Sequence, residues 1–280
     1  MSSSTSPLPR PFRSDDPGAI LPRAASVALW LPHVSADPTF AKAALASIYD
    51  SDEPHTVTGP VGTLAALLEQ LTGQLVAACA VFPVPGDVAT VPTLAAAPAV
   101  ESEEAVLIRL ARPWTPDVAI EARTCWALVP EVTEFGSRFE RGYLVDWALV
   151  PIGPWEHQVL GTAGSLPDAS SALRTGLLYA TDALAQLDVA SWREEHAHLI
   201  ELLRDPVDLA AFIPPNLPVR QVTVLSQAAR LRAIVDLARL DEGGSVNVWQ
   251  ADQRAGALRE IDAVARQAMT AATLFSPLAN

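Results

Sequence analysis

The chain has 280 residues, 50% of them hydrophobic and 18% charged, with a net charge of −13. That length and apolar content allow one large domain or two ordinary ones around a sizeable core. The acidic balance argues against nucleic acid and anionic membrane surfaces as partners, since an acidic body repels both.

The 19 basic residues are 18 arginines and Lys42, which has no glycine-rich loop beside it. A phosphate-binding loop, a pyridoxal Schiff base and a kinase-type clamp each need a suitably placed lysine, so those classes are excluded too. Cys79 and Cys125 lie in the apolar segments "LVAACAVF" and "RTCWALV" and read as reduced core residues. Residues 1–20 lack an apolar signal core and read as a disordered tail. No run of about 18 apolar residues free of charge and proline is present, so the expected compartment is the cytoplasm.

Proline divides the remainder. Nineteen of the 24 prolines fall in residues 1–167, and none falls in 168–205 or 219–276. Because proline breaks helix interiors, short elements and turns are expected first and long helices afterwards. The division gives a mixed α and β domain over 21–164 and a helical bundle over 165–280.

In chain order, "VALWLPHV" (27–34) is a short apolar run that fits a strand or a helix and is predicted as a strand. A helix follows from Asp37, a residue suited to capping, with Pro38 at its first position and Phe40, Ala44 and Ile48 on one face. "GTLAALLEQLTG" (62–73) is a second helix that turns Leu64, Leu67, Leu68 and Leu71 inward and stops at Gly73. Residues 75–83 form a strand, and 83–102, with four prolines, an extended loop. Strands are predicted over 105–112, over "DVAIEARTCWALV" (117–129) with Val118, Ile120, Ala122 and Trp126 on one face, and over 143–152. "EFGSRFERG" between the last two is read as a turn-rich connection. The implied sheet is small, antiparallel or mixed, and packed on helices in an α+β arrangement.

The second half carries helical seams. Leu173, Leu177, Ala180, Leu184 and Leu187 recur at helical spacing. Residues 219–240 bear two apolar stripes, one through Val224, Ala228, Leu231 and Val235 and one through Leu225, Ala229 and Ala233. The last helix runs to about Phe275 along Leu258, Ile261, Ala265, Ala268 and Ala272. With 191–205, these give an antiparallel bundle of about four helices.

Chemistry is sparse. "SWREEHAHLIELLRD" (191–205) opens on Ser191 and Glu194, a capping-box pair that accounts for its glutamates. Glu195 and His198 have the i, i+3 spacing of carboxylate metal bundles and are weak metal candidates; a second copy of the motif, which such a site needs, is missing from the helical half. Candidate ligand-binding residues are Trp155, Glu156 and His157, which leave a strand together. His55, in "DSDEPHT", reads as part of a charged loop. "GTAGS" (161–165) lacks phosphate-loop spacing and reads as a joint between domains. Arg230, Arg232 and Arg239 are balanced by Asp236, Asp241 and Glu242, so no basic stripe forms on 219–240. The expected function is a non-catalytic protein-interaction or assembly module without a cofactor, a homodimer or the partner of another protein. The alternative is a small-molecule-binding protein or hydrolase-like enzyme with a pocket between the two domains.

Overall fold

The computed structural model describes residues 21–50, 52–117, 120–137, 140–186, 209–210, 212–240 and 248–279. The expected tail over 1–20 and the helix over 191–205 lie outside them.

The first element is a helix, α1 (Arg23–Ala36), where the apolar run over 27–34 suggested a strand. Ala24 to Leu31 and Val34 are all buried. A helix enclosed on every side needs no polar face, so its sequence carries no 3.6-residue signal. Pro32 sits inside α1. The Glu104 carboxylate caps the helix from a distance, accepting from the Ala24 amide at 2.9 Å.

Asp37 accepts from the Thr39 amide and opens a 3-10 turn (Pro38–Phe40) that leads into α2 (Ala41–Tyr49), with Ala44 and Ile48 buried. α3 (Leu64–Leu71) buries the four predicted leucines. It is capped by Thr63 and followed by Gly73 at φ +68°, a left-handed conformation that glycine adopts without strain.

Among the described residues a six-stranded sheet is built from β1 (Thr56–Val57), β2 (Gly62–Thr63), β3 (Leu75–Val81), β4 (Ala105–Trp114), β5 (Arg123–Ser137) and β6 (Glu140–Pro151). Its order is β2-β1-β6-β5-β4-β3, antiparallel except for the parallel β1–β6 pair. Alternation divides the strand residues between two cores. Ala78, Ala80, Ile108, Trp126, Leu128 and Trp147 pack with α1, α3 and the helices of the second half. Ala77, Cys79, Leu107, Cys125, Ala127 and Val129 pack with Trp155 and Val159 under the other face.

Two connections differ from expectation. Residues 83–102 are not all loop, because α4 (Thr93–Ser102) forms within them and buries Ala95 and Ala99. Pro98 lies inside it and gives up one intrahelical bond. "EFGSRFERG" is mostly strand, since β5 and β6 pair from Trp126↔Pro151 out to Ser137↔Glu140. The main β4 pairing runs only from Val106↔Leu128 to Arg109↔Cys125, so β5 and β6 continue past the sheet as a two-stranded arm. Within the arm the Phe135 ring covers Gly142, where an added Cβ would displace it.

After α5 (Glu156–Ala163), three long helices are described: α6 (Leu166–Gln186), α7 (Val219–Leu240) and α8 (Val248–Thr273). Both α7 stripes are buried, through Val224, Ala228 and Leu231 and through Leu225, Ala229 and Ala233. The Gln221 side-chain amide donates to the Ala272 carbonyl at 2.6 Å, which sets the start of α7 beside the end of α8. Gly176 of α6 faces Val264 and Leu231, bringing α6 against both. A fourth bundle helix would fall on the segment outside the described residues. Phe275 does not extend the α8 seam; it leaves the helix and pairs with Ala78 as an antiparallel bridge.

That bridge belongs to a larger closure. β3 ends the sheet order, and its outer backbone is met in three ways. Ala78 exchanges both backbone bonds with Phe275, at 2.9 and 2.8 Å. The Ala80 amide donates to the Thr273 hydroxyl at 3.1 Å. The Phe82 carbonyl accepts from Arg266 at 2.9 Å.

Candidate functional site

The three residues singled out from the sequence separate in space. Trp155 is fully enclosed, its indole donating to the Ile108 carbonyl at 3.2 Å, while His157 faces solvent. Glu156 lies in the first turn of α5, where its charge complements the helix dipole. Its carboxylate accepts a two-pronged bond from Arg109 of β4, through Nε and through Nη2 at 3.1 Å, and a third from the Ser276 hydroxyl at 2.6 Å. Cys125 sits opposite Arg109 in the β4–β5 register. Burial pushes the Cys125 thiol up, and pushes Cys79 up to about 12, so both remain thiols at neutral pH. The arrangement is a clamp that fastens residue 276 to the sheet. Sequence reading missed Arg109, although the charge set among the apolar residues of "AVLIRL" was its trace; Ser276 left none.

Burial raises the Glu156 pKa, but the Arg109 and Ser276 hydrogen bonds and the Arg109 charge outweigh it and hold the carboxyl below its ordinary range. A group lowered on folding stabilises the chain above its unfolded value, near 4.3, and that stabilisation disappears as pH falls through the folded value. Urea melts from pH 7 to pH 3 should therefore show a decline below about pH 5 that is shallower in Glu156→Gln. Parallel declines in the two proteins would refute the clamp's contribution.

A second cluster corrects the reading of His55, which is buried rather than part of a charged loop. The Trp147 indole, which can only donate, gives its proton to His55 Nδ1 at 3.1 Å. His55 Nε2 therefore carries the ring proton and donates to Asp52 Oδ2 at 3.2 Å. The Asp52 carboxylate also holds Arg23 through Nε at 2.7 Å and Nη2 at 2.8 Å. Burial lowers the Arg23 pKa, and the Asp52 hydrogen bond and charge reverse that and raise it. A histidine oriented by an aspartate is half of a general-base dyad, which also needs a free lone pair for substrate. Here the indole occupies that lone pair. The assembly locks α1, residues 52–55 and β6 together.

The third cluster lies at the junction of the two halves. Arg266 of α8 donates to Asp262 Oδ2, to the Phe82 carbonyl and to Asp87 Oδ2, each at 2.9 Å, and Arg232 lies over the Phe82 ring.

Two models of one family match the chain: the N-terminal domain of Rv1486c-like proteins over residues 24–160 and their C-terminal domain over 167–270. Between them they span nearly the whole described fold. The chain belongs to the Rv1486c-like proteins. It is a two-domain α+β member of that family. No curated protein and no solved structure matches it. Among the described residues no helix is long and apolar enough to cross a membrane, and no three His, Cys, Asp or Glu side chains are grouped to hold a metal ion. The metal candidates Glu195 and His198 lie outside the described residues.

Proposed function

We propose that this Rv1486c-like chain is a cytoplasmic, non-catalytic assembly module that works as a homodimer through its β5–β6 arm. The observation that carries the reading is where apolar surface remains exposed. Phe135 is 42% and Leu144 49% exposed on one face of the arm, with Val132 at 41% on the other. Register puts Phe135 opposite Gly142 and Leu144 opposite Thr133, so Phe135 and Leu144 share a face. A two-stranded ribbon is marginal in water by itself, and an apolar face on one gains stability when a partner covers it. The groups best suited to acid–base or nucleophilic chemistry are engaged elsewhere, His55 by Trp147 and Asp52, Glu156 by Arg109 and Ser276, and Cys79 within the core. The alternative, a pocket between the halves, has less in its favour, because the α8–β3 junction is occupied by the Arg266, Thr273 and Phe275 bonds.

Light scattering coupled to size-exclusion chromatography tests this reading. The wild-type chain should run as a dimer, and Phe135→Ser with Leu144→Asp as a folded monomer with an unchanged far-ultraviolet circular dichroism spectrum and a lower melting temperature. A wild-type monomer at the highest attainable concentration would sink the proposal.

A further inference from the structure

The outer edge of β3 lies at the far end of the sheet order from β1 and β2, and the polypeptide occupies it with its own residues 274–279. The closure is uneven. The α8 residues before it are tightly packed, with Ala268, Met269, Thr270, Ala272 and Thr273 all at or below 2% exposure. Beyond Thr273 the hold changes character. Phe275 contributes two backbone bonds to Ala78 while its ring is 45% exposed, and Leu278 is 48% exposed. Ser276 is buried, and its hydroxyl supplies the side-chain anchor to Glu156. A segment held by a few polar bonds and, among its apolar side chains, by Leu274 alone against the core opens locally, at a cost below that of unfolding the whole molecule.

We infer that the β3 edge is a strand-addition site, and that its partner in trans is residues 274–279 of a second copy, exchanged for the chain's own. The cis arrangement already displays the recognition: backbone pairing at Ala78 and a hydroxyl directed at the Glu156–Arg109 clamp. Main-chain pairing at a sheet edge supplies affinity and the side-chain site supplies selectivity. An exchanged segment makes the same bonds in trans as in cis, so the exchange itself is nearly neutral. It leaves Phe275 and Leu278 beside the neighbouring copy, where their exposed surface can be buried. This surface is separate from the β5–β6 arm, and the second copy as its source rests on the assembly reading.

The test uses a fluorescein-labelled peptide of residues 274–280, with fluorescence anisotropy measured on full-length chains carrying Leu144→Asp so that arm contacts do not contribute. Adding Ser276→Ala to the chain weakens the cis segment, and the wild-type peptide should then bind about ten-fold more tightly than to the chain with Ser276 intact. A peptide with Phe275→Pro, which lacks the amide that Ala78 accepts, should bind about ten-fold more weakly than the wild-type peptide. In hydrogen exchange on the wild-type chain, the Ala78 amide should exchange faster than the Leu107 amide in β4. Equal affinity of the two peptides, no binding to the Ser276→Ala chain, or identical exchange at Ala78 and Leu107 would each overturn the inference. A chain that is dimeric yet fails these tests loses the exchange site and keeps the arm.

Discussion

Replacing Arg266 by methionine is expected to lower the stability of the full chain by about 3–5 kcal/mol, the usual cost of removing one partner from a buried ion pair. Methionine keeps much of the side-chain length and none of the donors. Three acceptors lose a bond: Asp262 Oδ2, Asp87 Oδ2 and the Phe82 carbonyl. They are affected unequally. The Asp87 side chain is 35% exposed and can turn to water, whereas Asp262 is 4% exposed and stays in place with Arg232 3.8 Å away. Asp87→Asn should therefore cost much less than Asp262→Asn. Urea denaturation of the three variants checks the order. An Arg266→Met loss below about 1 kcal/mol would mean the site relaxes around the missing guanidinium.

His55→Ala comes next, at about 2–4 kcal/mol, from a buried cavity and from the loss of an acceptor for the Trp147 indole and a donor to Asp52. A double-mutant cycle with Trp147→Phe separates the two contributions. Removing the indole N–H leaves Nδ1 without its donor, so the coupling should lie between about 0.5 and 3 kcal/mol. Additive losses would show that the ring is held by packing against Tyr49, whose ring centroid is 4.9 Å away, rather than by its nitrogens.

These residues also show why some of the fold was legible in the sequence and some was not. α3 could be read because one face is buried and the other is wet, so Leu64, Leu67, Leu68 and Leu71 repeat at helical spacing. The paired stripes of α7 were legible for a related reason: two neighbours bury two definite faces. α1 is enclosed on all sides, which erases the period and leaves an apolar run that resembles a strand. α4 was hidden by its prolines, and the arm by Gly136 and a charged tip that imitate a turn. The polar clusters were harder still. His55 sits among carboxylates in sequence, and what draws it inside is Trp147, 92 positions away. Glu156 was singled out as a ligand-binding candidate, but its partners in the fold come from β4 and from beyond α8, and local sequence records neither.

The closure of β3 bears on how the molecule is made. The Phe82 carbonyl and the Arg266 guanidinium that meets it are 184 positions apart. At the usual 5–20 residues per second, a ribosome needs on the order of ten to forty seconds to synthesise that interval. During that time the nascent sheet has no lasting cover along its last strand. The β3 edge is therefore covered only after the second half has been made.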